Sequence, residues 1–360
     1  MAYPNCTLSN AFDFPATFTW SNIERAIILI FLPLVTFFGN TGNIAFLYTS
    51  MRIPRMRTVA NLYLLSLAMS DVLFISTVCI QYLWTYALTP MIRQDIFQSD
   101  IGCWLTYSVS RVTYYASVQM IALVSVERYY AICHPMKHLG FTGKQRTMTQ
   151  IAICWIIAII LGMVGSLKFS NLKSDTYCVG SIAGDKLKEP RFITFKYCQG
   201  GPGHDLLTVI SEIITNTVFL MALMSSSFTY VKIIQALTKR GEANLQSNQD
   251  TTSSDVRKQV AIMLMVNGII FFICQIPHRL FGVYLFTADV LNVRFLEYDE
   301  QYQFSVISYI FLYINSAINP YVYIVGSKYY RKAFMEALGL SRRSKRAGST
   351  SIALSNMTNI

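Results

Sequence analysis

The chain has 360 residues, of which 53% are hydrophobic and 14% are charged, and its formal net charge is +11 at pH 7. Ordinary soluble domains contain about 25% charged residues, so this composition argues against a soluble enzyme and indicates a protein solvated by lipid. The basic residues lie in short segments between apolar runs. This pattern argues against a nucleic-acid partner and indicates membrane topology, with contacts to anionic membrane lipids.

Seven apolar runs of the sequence are long enough to cross a bilayer, because a spanning helix needs about 20 mostly apolar residues. They cover residues 26–51, 59–88, 101–133, 147–167, 206–231, 259–277 and 301–327. We therefore predict an all-α fold, a seven-transmembrane helix bundle over residues 23–326. Residues 1–22 lack the pattern of a signal peptide, so we expect the first run to serve as the insertion signal.

The orientation of the bundle follows from its loops, since loops rich in Lys and Arg remain in the cytoplasm. The connections after the first, third and fifth runs carry Arg52, Arg55, Arg57, Lys137, Lys144, Arg146, Lys232, Lys239, Arg240, Arg257 and Lys258. The amino terminus is then extracellular, in a multi-pass protein of the plasma membrane. Loop 168–203 is basic yet predicted outside, because long loops translocate despite their charge.

The flanking segments carry their own signals. Asn5-Cys6-Thr7 is a glycosylation sequon on the predicted outer side, so Asn5 is the expected acceptor, whereas the sequon at Asn356 is predicted inside. Residues 327–340 are predicted to form an amphipathic eighth helix on the membrane, with apolar Tyr330, Phe334 and Leu338 opposed by Lys328, Arg331 and Lys332. Residues 341–360 are predicted to be a disordered cytoplasmic tail with seven hydroxyl side chains available for phosphorylation.

Charged residues inside the apolar runs are expected to mark functional positions, because a charge facing lipid is costly. Asp71 is the sole charge of the second run. In the third run, Glu127 and Arg128 lie at the inner end, and Arg111 lies roughly 25 Å away in the outer part, at about 1.5 Å rise per residue. A simpler interpretation of Glu127 and Arg128 is a pair at a helix end whose charged groups reach toward water.

Five motifs in the expected order carry a family resemblance. They are "GNTGN" in the first run, "NLYLLSLAMSD" in the second, "SVERYYAIC" in the third, Trp155 in the fourth and "NSAINPYVY" in the seventh. With them the chain resembles a rhodopsin-family G-protein-coupled receptor over nearly its whole length. The stretches "MRTVANLYLLSLAMSD", "SVERYYAICHP" and "SKYYRKAF" are most similar to the peptide-receptor branch that holds the thyrotropin-releasing hormone, ghrelin and neuromedin U receptors.

The resemblance implies a peptide ligand, a heterotrimeric G protein and, at the tail, receptor kinases and arrestin. It implies that Glu127 restrains Arg128 in the closed bundle and that the freed arginine helps to form the cavity for the G protein. The remaining switch residues are Tyr230, Asn319, Pro320 and Tyr323. Three positions depart from the family: Arg257 replaces an acid that would face Arg128, Gln275 replaces a tryptophan before Pro277, and Ala222 replaces a proline.

Asp71 raises the question of an ion. A lone buried carboxyl group must be protonated, paired or bound to a cation. By resemblance, an allosteric sodium ion binds at Asp71, Ser117, Asn315, Ser316 and Asn319, and no other cofactor is expected. The alternative is a carboxyl group that is hydrogen-bonded among helices without an ion.

The cysteines on the outer side are Cys6, Cys103, Cys178 and Cys198. By resemblance, Cys103 is bridged to Cys198 in the second extracellular loop, where "RFITFKYC" alternates in the manner of a β-strand. Cys178 is the alternative partner of Cys103. If Cys103 pairs with Cys198, then Cys6 and Cys178 form either a second bridge or two free thiols.

The ligand-binding residues are predicted to be Arg111, Glu212, His278 and Arg279 in the outer parts of the third, fifth and sixth runs, with Gln275 below them. In the simpler interpretation these charges neutralise one another inside an aromatic pocket. One acid cannot pair fully with two arginines, however, so we expect an electron-rich group of a peptide end to bind there. The alternative function is a receptor for an anionic lipid or a small carboxylate.

Other classes of membrane protein lack their required residues. A retinal-binding sensor needs a Schiff-base lysine, and residues 301–327 contain none. An enzyme is not expected, because His278 is the single histidine within a run and no acid, base or metal cluster converges. A transporter would show paired interrupted helices in two related halves. A monoamine receptor would carry an aspartate near Ser110 and Arg111.

Overall fold

The computed structural model describes residues 12–14, 19–88, 99–136, 143–182, 185–199, 204–247, 252–291, 293 and 296–340. The predicted glycosylation at Asn5, the cysteine Cys6 and the tail 341–360 lie outside these residues. The helices of the described part, numbered in chain order, are α1 (Asn22–Arg52), α2 (Val59–Leu88), α3 (Asp100–Cys133), α4 (Lys144–Gly165), α5 (His204–Ser247), α6 (Thr252–Leu291), α7 (Tyr298–Gly326) and α8 (Lys328–Ala337).

Each of the seven predicted apolar runs corresponds to one of the helices α1–α7, although the runs 147–167 and 301–327 extend two residues and one residue past the ends of α4 and α7, and the all-α bundle is confirmed. Among the described residues, five helical segments are apolar enough to cross a membrane on length and composition alone: Asn22–Arg52, Val59–Leu88, Lys144–Gly165, Val209–Lys239 and Lys258–Ala288. The helices α3 and α7 carry more polar side chains. They pack centrally, α3 against α2, α4, α5 and α6, and α7 against α1, α2 and α6.

Several helix ends are defined by side chains that satisfy the first free backbone amides. Ser21 and Glu24 form a capping box at the start of α1, and Ser99 accepts a hydrogen bond from the Gly102 amide at the start of α3. Glu297 begins α7 with a second capping box. These side chains fix the first turns of α1, α3 and α7.

Glycines allow the helices to approach closely. A Cβ at Gly162 of α4 would lie 2.5 Å from Val112 Cγ2 of α3, and a Cβ at Gly39 of α1 would lie 2.9 Å from Ala317 of α7. Contacts at this distance are too short for any larger residue. The two glycines therefore keep α4 on α3 and α1 on α7, which fixes the position of the two polar central helices.

A three-stranded sheet lies at the end of the bundle that is predicted to be extracellular, in strand order β1 (Phe12–Phe14), β2 (Asn171–Ile182), β3 (Asp185–Gln199). The strands β2 and β3 are antiparallel, and β1 is parallel to β2. The strand predicted over residues 191–198 is confirmed within β3. The strand β2 was not predicted, because residues 171–182 do not alternate regularly between apolar and polar side chains.

The helix α8 forms as predicted, but its apolar face packs on the bundle. Tyr330 and Phe334 are 1% and 5% exposed, and their rings lie 6.3 and 6.2 Å from the ring of Phe46 in α1. Leu338 remains exposed. The Tyr329 hydroxyl donates to the Arg55 carbonyl at 2.6 Å, and Arg55 pairs with Glu336 at 2.6 Å. Thus α8 is joined to the loop between α1 and α2.

Candidate functional site

An open cavity of about 400 Å³ lies between the outer halves of the helices. All five predicted ligand-binding residues, Arg111, Glu212, Gln275, His278 and Arg279, are part of its wall. They come from α3, α5 and α6 because those helices pack side by side. The structure therefore brings into one site charges that are as much as 168 positions apart in the sequence.

Arg111 is held on the side of α5. Its Nη1 donates to Ser211 Oγ at 2.9 Å, and its Nη2 lies 3.7 Å from Glu212 Oε1. Gly165, at the end of α4, leaves the space for this guanidinium group, since a Cβ there would lie 3.2 Å from Nη1. The ion pair is long and both side chains are mostly buried, 20% and 17% exposed. Glu212 therefore neutralises Arg111 without a close two-bond contact.

Arg279 is placed differently, against an aromatic ring. Its Cζ lies 4.3 Å from the ring centroid of Tyr114, in the geometry of a cation–π contact. Its Nε is buried, and within the described part of the chain it has no hydrogen-bond partner. The Tyr114 hydroxyl is also buried without a partner there. Two polar groups in the cavity wall thus keep hydrogen-bonding capacity.

His278 and Gln275 lie lower on α6. The ring of His278 lies 5.0 Å from that of Tyr309, and its Nδ1 is 3.5 Å from Ser308 Oγ. Gln275 is 5% exposed, and its Oε1 has no hydrogen-bond partner among the described residues. Where the family resemblance leads one to expect an indole ring, the cavity floor therefore presents an amide.

The sequence did not reveal most of the aromatic wall, which includes Tyr82, Tyr107, Tyr114, Tyr115, Phe169, Phe281, Tyr309 and Tyr313. Tyr107 and Phe169 stack with ring centroids 4.2 Å apart, and the Tyr115 hydroxyl bonds Thr215 Oγ1 at 2.7 Å. The helical spacing could have revealed part of this wall. Tyr114 follows Arg111 by three residues, and residues separated by three share a helix face.

Below the cavity lie the residues predicted to hold sodium. Asp71 is 1% exposed, and its Oδ2 accepts a hydrogen bond of 2.7 Å from Asn319 Nδ2. Ser117, Asn315 and Ser316 line the lower part of the cavity, and Asn315 Oδ1 is a buried oxygen without a partner in the described residues. Carboxylate, hydroxyl and amide oxygens suit a hard cation, so these residues fit the ion.

Ser70 is an addition to this group that the sequence did not indicate. It is completely buried, and its hydroxyl lies 2.9 Å from that of Ser117. Its own hydroxyl also donates to the Leu67 carbonyl at 2.8 Å. The sequence could have pointed to Ser70, because it directly precedes Asp71. Its contact ties α2 to α3 beside the carboxyl group.

The predicted switch residues lie in the half of the bundle that is predicted to face the cytoplasm. Arg128 donates to Glu127 twice, from Nε at 2.5 Å and from Nη2 at 2.9 Å, so the ion pair is bidentate. Tyr323 is 1% exposed and lies 5.2 Å from the ring of Phe46. Arg257 lies near the start of α6, but its side chain lies outside the described atoms.

At the opposite end of the bundle, Cys103 is bridged to Cys198, as the resemblance implied. The bond ties the start of α3 to β3, and Asp100 of α3 accepts a 2.7 Å hydrogen bond from the Leu172 amide of β2. Cys178 is also disulfide-bonded, so it is not a free thiol, while its predicted partner Cys6 lies outside the described residues. In the same sheet, a hydrogen bond to Asp175 raises the pKa of the Tyr197 hydroxyl.

Comparison with known proteins agrees with this architecture. Residues 42–323 match the model of the 7 transmembrane receptor (rhodopsin family). The chain is 30% identical to growth hormone secretagogue receptor type 1 of Sus scrofa over 322 residues, covering 87% of this chain and 80% of that receptor.

It is also 24% identical to a QRFP-like peptide receptor of Branchiostoma floridae over 315 residues, which covers 87% and 78% of the two chains. Identity to galanin receptor 2a of Danio rerio is 23% over 328 residues, covering 90% and 81%. The matched region includes the cavity, the Asp71 group and the Glu127–Arg128 pair, so the chain belongs to the rhodopsin family of seven-transmembrane receptors.

Proposed function

We propose that this protein is a plasma-membrane receptor, with its amino terminus outside, that binds an extracellular peptide and activates a heterotrimeric G protein. The relatives reported above are named as receptors, and one is named as a peptide receptor. These names support a peptide over the alternative ligand, an anionic lipid or small carboxylate. The predicted role is one of binding and conformational change, with no catalytic residue.

The observation that carries this proposal is the different pairing of the two arginines in the cavity. Glu212 neutralises Arg111 at 3.7 Å, whereas Arg279 lies on the Tyr114 ring, and its Nε has no hydrogen-bond partner in the described part of the chain. A buried donor without a partner is unfavourable, by about 1–3 kcal/mol, so a ligand acceptor would gain this amount on binding. A peptide carboxylate or carbonyl oxygen supplies that acceptor.

The size and lining of the cavity suit one end of a peptide. A volume of about 400 Å³ is within the range of about 300–1,000 Å³ that is typical of ligand sites. The aromatic rings of the wall provide apolar contact area for a side chain, and Arg111 and Arg279 provide the polar contacts. The sheet β1–β3 lies at the extracellular end, where it would contact the part of the peptide that remains outside.

Two regulatory features complete the proposal. A sodium ion would be held by Asp71 with Ser117, Asn315, Ser316 and Asn319, and it would supply a positive charge that favours the closed bundle. The Glu127–Arg128 pair, with Tyr230, Asn319, Pro320 and Tyr323, would form the switch toward the G protein. Receptor kinases and arrestin would act on the tail, and basic side chains of the cytoplasmic face would contact anionic lipid.

The test begins with a screen of the wild-type receptor against a synthetic neuropeptide library and, separately, a library of anionic lipids and small carboxylates. Calcium and cyclic-nucleotide responses are recorded. The agonist found is then applied to Arg111→Ala and Arg279→Ala. Each substitution is expected to raise the required concentration about tenfold or more, because a hydrogen bond to a charged group contributes about 1.5–3 kcal/mol.

Arg25→Ala is the matched control, because Arg25 is an exposed arginine of α1 on the same side of the membrane. Its agonist potency should equal that of the wild type. Surface expression of all three variants is measured by antibody labelling of an amino-terminal tag. A response to the lipid and carboxylate library alone would contradict the peptide assignment. Unchanged potency in both cavity variants would show that the arginines are structural.

A further inference from the structure

The cavity continues inward, past the ligand-binding residues, to the residues predicted to hold sodium. Arg111 and Ser117 both line it from α3, and the six positions between them correspond to about 9 Å along the helix. On α6, Gln275 lines the cavity four positions, or about 6 Å, below Arg279. The outer binding site and part of the predicted sodium site therefore share one cavity.

The polar groups of this cavity differ with depth. Its outer part presents the guanidinium groups of Arg111 and Arg279, which only donate hydrogen bonds. Its lower part presents oxygen atoms. Gln275 and Asn315 are 5% and 2% exposed, and their oxygens Oε1 and Oδ1 have no hydrogen-bond partner among the described residues. Buried acceptors of this kind are normally paired, so they indicate a donor or a cation that enters from outside the chain.

Ser117 adds a third acceptor to the lower part. Its hydroxyl lies 2.9 Å from that of Ser70, whose one hydrogen is donated to the Leu67 carbonyl at 2.8 Å. Ser117 must then donate its own hydrogen to Ser70, because a hydroxyl group has a single hydrogen. The Ser117 oxygen keeps lone pairs that can accept a hydrogen bond or contact a cation.

A carboxyl group lies next to these oxygens. Asp71 is 1% exposed, and its Oδ2 accepts a 2.7 Å hydrogen bond from Asn319. Asn319 follows Asn315 by four residues, so the two side chains share one face of α7. A negative charge beside neutral acceptors favours a positively charged group over a neutral donor.

The residue that completes this group is one that departs from the family resemblance. At Gln275 the resemblance leads one to expect a tryptophan, and an indole ring donates a hydrogen bond but cannot accept one. The amide of Gln275 instead places an acceptor at the floor of the cavity. This chain therefore has an oxygen where a typical relative would have an aromatic ring.

We infer that the lower end of the cavity is a cation subsite for the ligand, where a positively charged group is held by Gln275, Asn315 and Ser117 in competition with sodium. Arg111 and Arg279 hold an acceptor group of the same peptide end. The two levels are about 9 Å apart, and three extended peptide residues cover about 10 Å. An arginine or lysine side chain, or an amino terminus, would supply the cation.

The inference rests on the proposed peptide-binding function, but a small probe tests the subsite without the natural ligand. N-acetylarginine carries a carboxylate and a guanidinium group, and N-acetylcitrulline is its matched control with a neutral urea group. Binding of each probe to the purified full-length receptor is measured by saturation-transfer NMR in choline chloride. N-acetylarginine should bind about tenfold more tightly, because charge-assisted hydrogen bonds are the stronger ones. Equal binding of both probes, or binding of neither, would overturn the cation subsite.

Sodium shows whether the two cations share oxygen atoms. Sodium chloride replaces choline chloride at constant ionic strength, and the dissociation constant of N-acetylarginine is measured at each step. It should rise in proportion to the sodium concentration without a plateau, as mass action requires of a competitor. An ion that acts from a separate site would give a plateau, commonly at about 5–150-fold. A plateau, or no change at all, would contradict the shared subsite.

Two substitutions of Gln275 assign the effect to its side chain. Gln275→Leu removes the acceptor, and Gln275→Trp introduces the ring that the resemblance leads one to expect. In both variants N-acetylarginine should bind about tenfold more weakly, at the level of N-acetylcitrulline. Ile276→Trp adds the same ring at the adjacent residue, which is 39% exposed, and should leave the binding of both probes unchanged. An undiminished preference for N-acetylarginine in both Gln275 variants would overturn the inference.

The agonist found in the peptide screen separates this inference from the proposed function. It is compared with an analogue whose basic group is neutral, with citrulline for arginine, norleucine for lysine or an acetylated amino terminus. The analogue should bind about tenfold more weakly to the wild type and no more weakly to Gln275→Leu, since the contact is already lost there. A peptide agonist that binds equally well without its basic group would overturn the subsite and leave the proposed function intact. Binding of N-acetylarginine as expected, with no agonist in either library, would support the subsite and contradict the proposed function.

Discussion

Two arginines of the same bundle have opposite surroundings, one in the outer cavity and one at the cytoplasmic end. Arg128 donates two hydrogen bonds to its neighbour Glu127, whereas Arg279 lies on an aromatic ring, and its buried Nε has no hydrogen-bond partner among the described residues. A cation that is paired within the chain can act only after the pair is broken, which suits a switch. A cation with free donors can bind an incoming acceptor directly, which suits a ligand site.

The two regions also differ in what fixes their helices. The outer region is held by a covalent bond, Cys103–Cys198, and by a sheet over the helices. The cytoplasmic region is held by non-covalent contacts, such as those of Tyr230 with Ser125 and of Tyr330 with Asn61. Non-covalent contacts can be exchanged on the time scale of signalling. From this difference we predict that the outer end is more rigid than the opposite end.

The largest effect is expected from breaking the covalent bond of the outer region. Cys103→Ser releases β3 from α3, and loss of a native disulfide commonly costs about 2–5 kcal/mol. Because the cavity is then less well ordered, agonist potency should fall by more than about tenfold, which corresponds to 1.4 kcal/mol. Agonist-independent exchange should remain, since the cytoplasmic contacts are untouched.

Concentration–response curves and basal nucleotide exchange are the measurements for this substitution. Cys154→Ser is the control, since Cys154 is a free, half-buried cysteine in α4. Loss of basal and agonist responses together, at normal surface expression, would show that the two regions are not separable.

The next effect concerns Asp71, which lies between the two regions. If a sodium ion bound there favours the closed bundle, sodium must weaken agonist binding, because linkage between two ligands is reciprocal. Asp71→Asn removes the carboxylate charge while keeping an amide oxygen near Asn319. Agonist displacement curves in sodium chloride and in choline chloride should then coincide, whereas they should differ in the wild type. Retained sodium sensitivity would contradict the proposed ion site.

A smaller effect is expected from Gly165→Ala, which tests whether the position of the Arg111 guanidinium group matters for agonist binding. The added Cβ would lie 3.1 Å from Ser211 Oγ and 3.2 Å from Arg111 Nη1, so the guanidinium group must shift by a few tenths of an ångström. A shifted donor loses part of a charge-assisted bond, of about 1.5–3 kcal/mol in full, and potency should fall severalfold. Gly143→Ala is the control at the other end of α4, where a Cβ meets nothing within 4 Å.

Much of this architecture could be predicted because long apolar segments of the sequence alternate with short segments that carry charged residues. Long apolar runs define the helices, and isolated charges within those runs, such as Arg111 and Glu212, stand out. Which arginine pairs with Glu212 could not be predicted, since both arginines lie near the same depth. The choice depends on the rotation of α5 and α6, which is set by packing of the whole bundle.

Other features depend on contacts that no local pattern encodes. The close approach of Tyr230 in α5 to the backbone of Gly268 in α6 is seen only in the folded structure. The sequence does not reveal it, because a glycine within a helix is compatible with many surroundings. The apolar stripe of α8 was correctly predicted, yet its partner was not. An apolar stripe of this kind can pack against lipid or against protein. Here it packs against protein, because the ring of Phe46 in α1 lies beside Tyr330 and Phe334.

The smallest effect should come from the ion pair that joins α8 to the first cytoplasmic loop. Arg55 and Glu336 approach to 2.6 Å, but their side chains are 38% and 45% exposed. Exposed pairs contribute about 0–1 kcal/mol, because water screens the charges and both side chains lose freedom. Glu336→Gln should therefore lower the melting temperature of the purified receptor by a few degrees at most. The shift should vanish in high salt, where screening already removes the interaction.

The buried contacts beside this pair provide the comparison. Tyr330→Phe removes a hydrogen bond to Asn61 Oδ1 from a fully buried site, while Asn61 Nδ2 keeps its bond to the Met56 carbonyl at 2.6 Å. An acceptor left unsatisfied in a buried site costs about 1–3 kcal/mol, more than the exposed pair and with no dependence on salt. If Glu336→Gln instead destabilises the receptor more than Tyr330→Phe does, the ion pair rather than the buried tyrosine holds α8 in place.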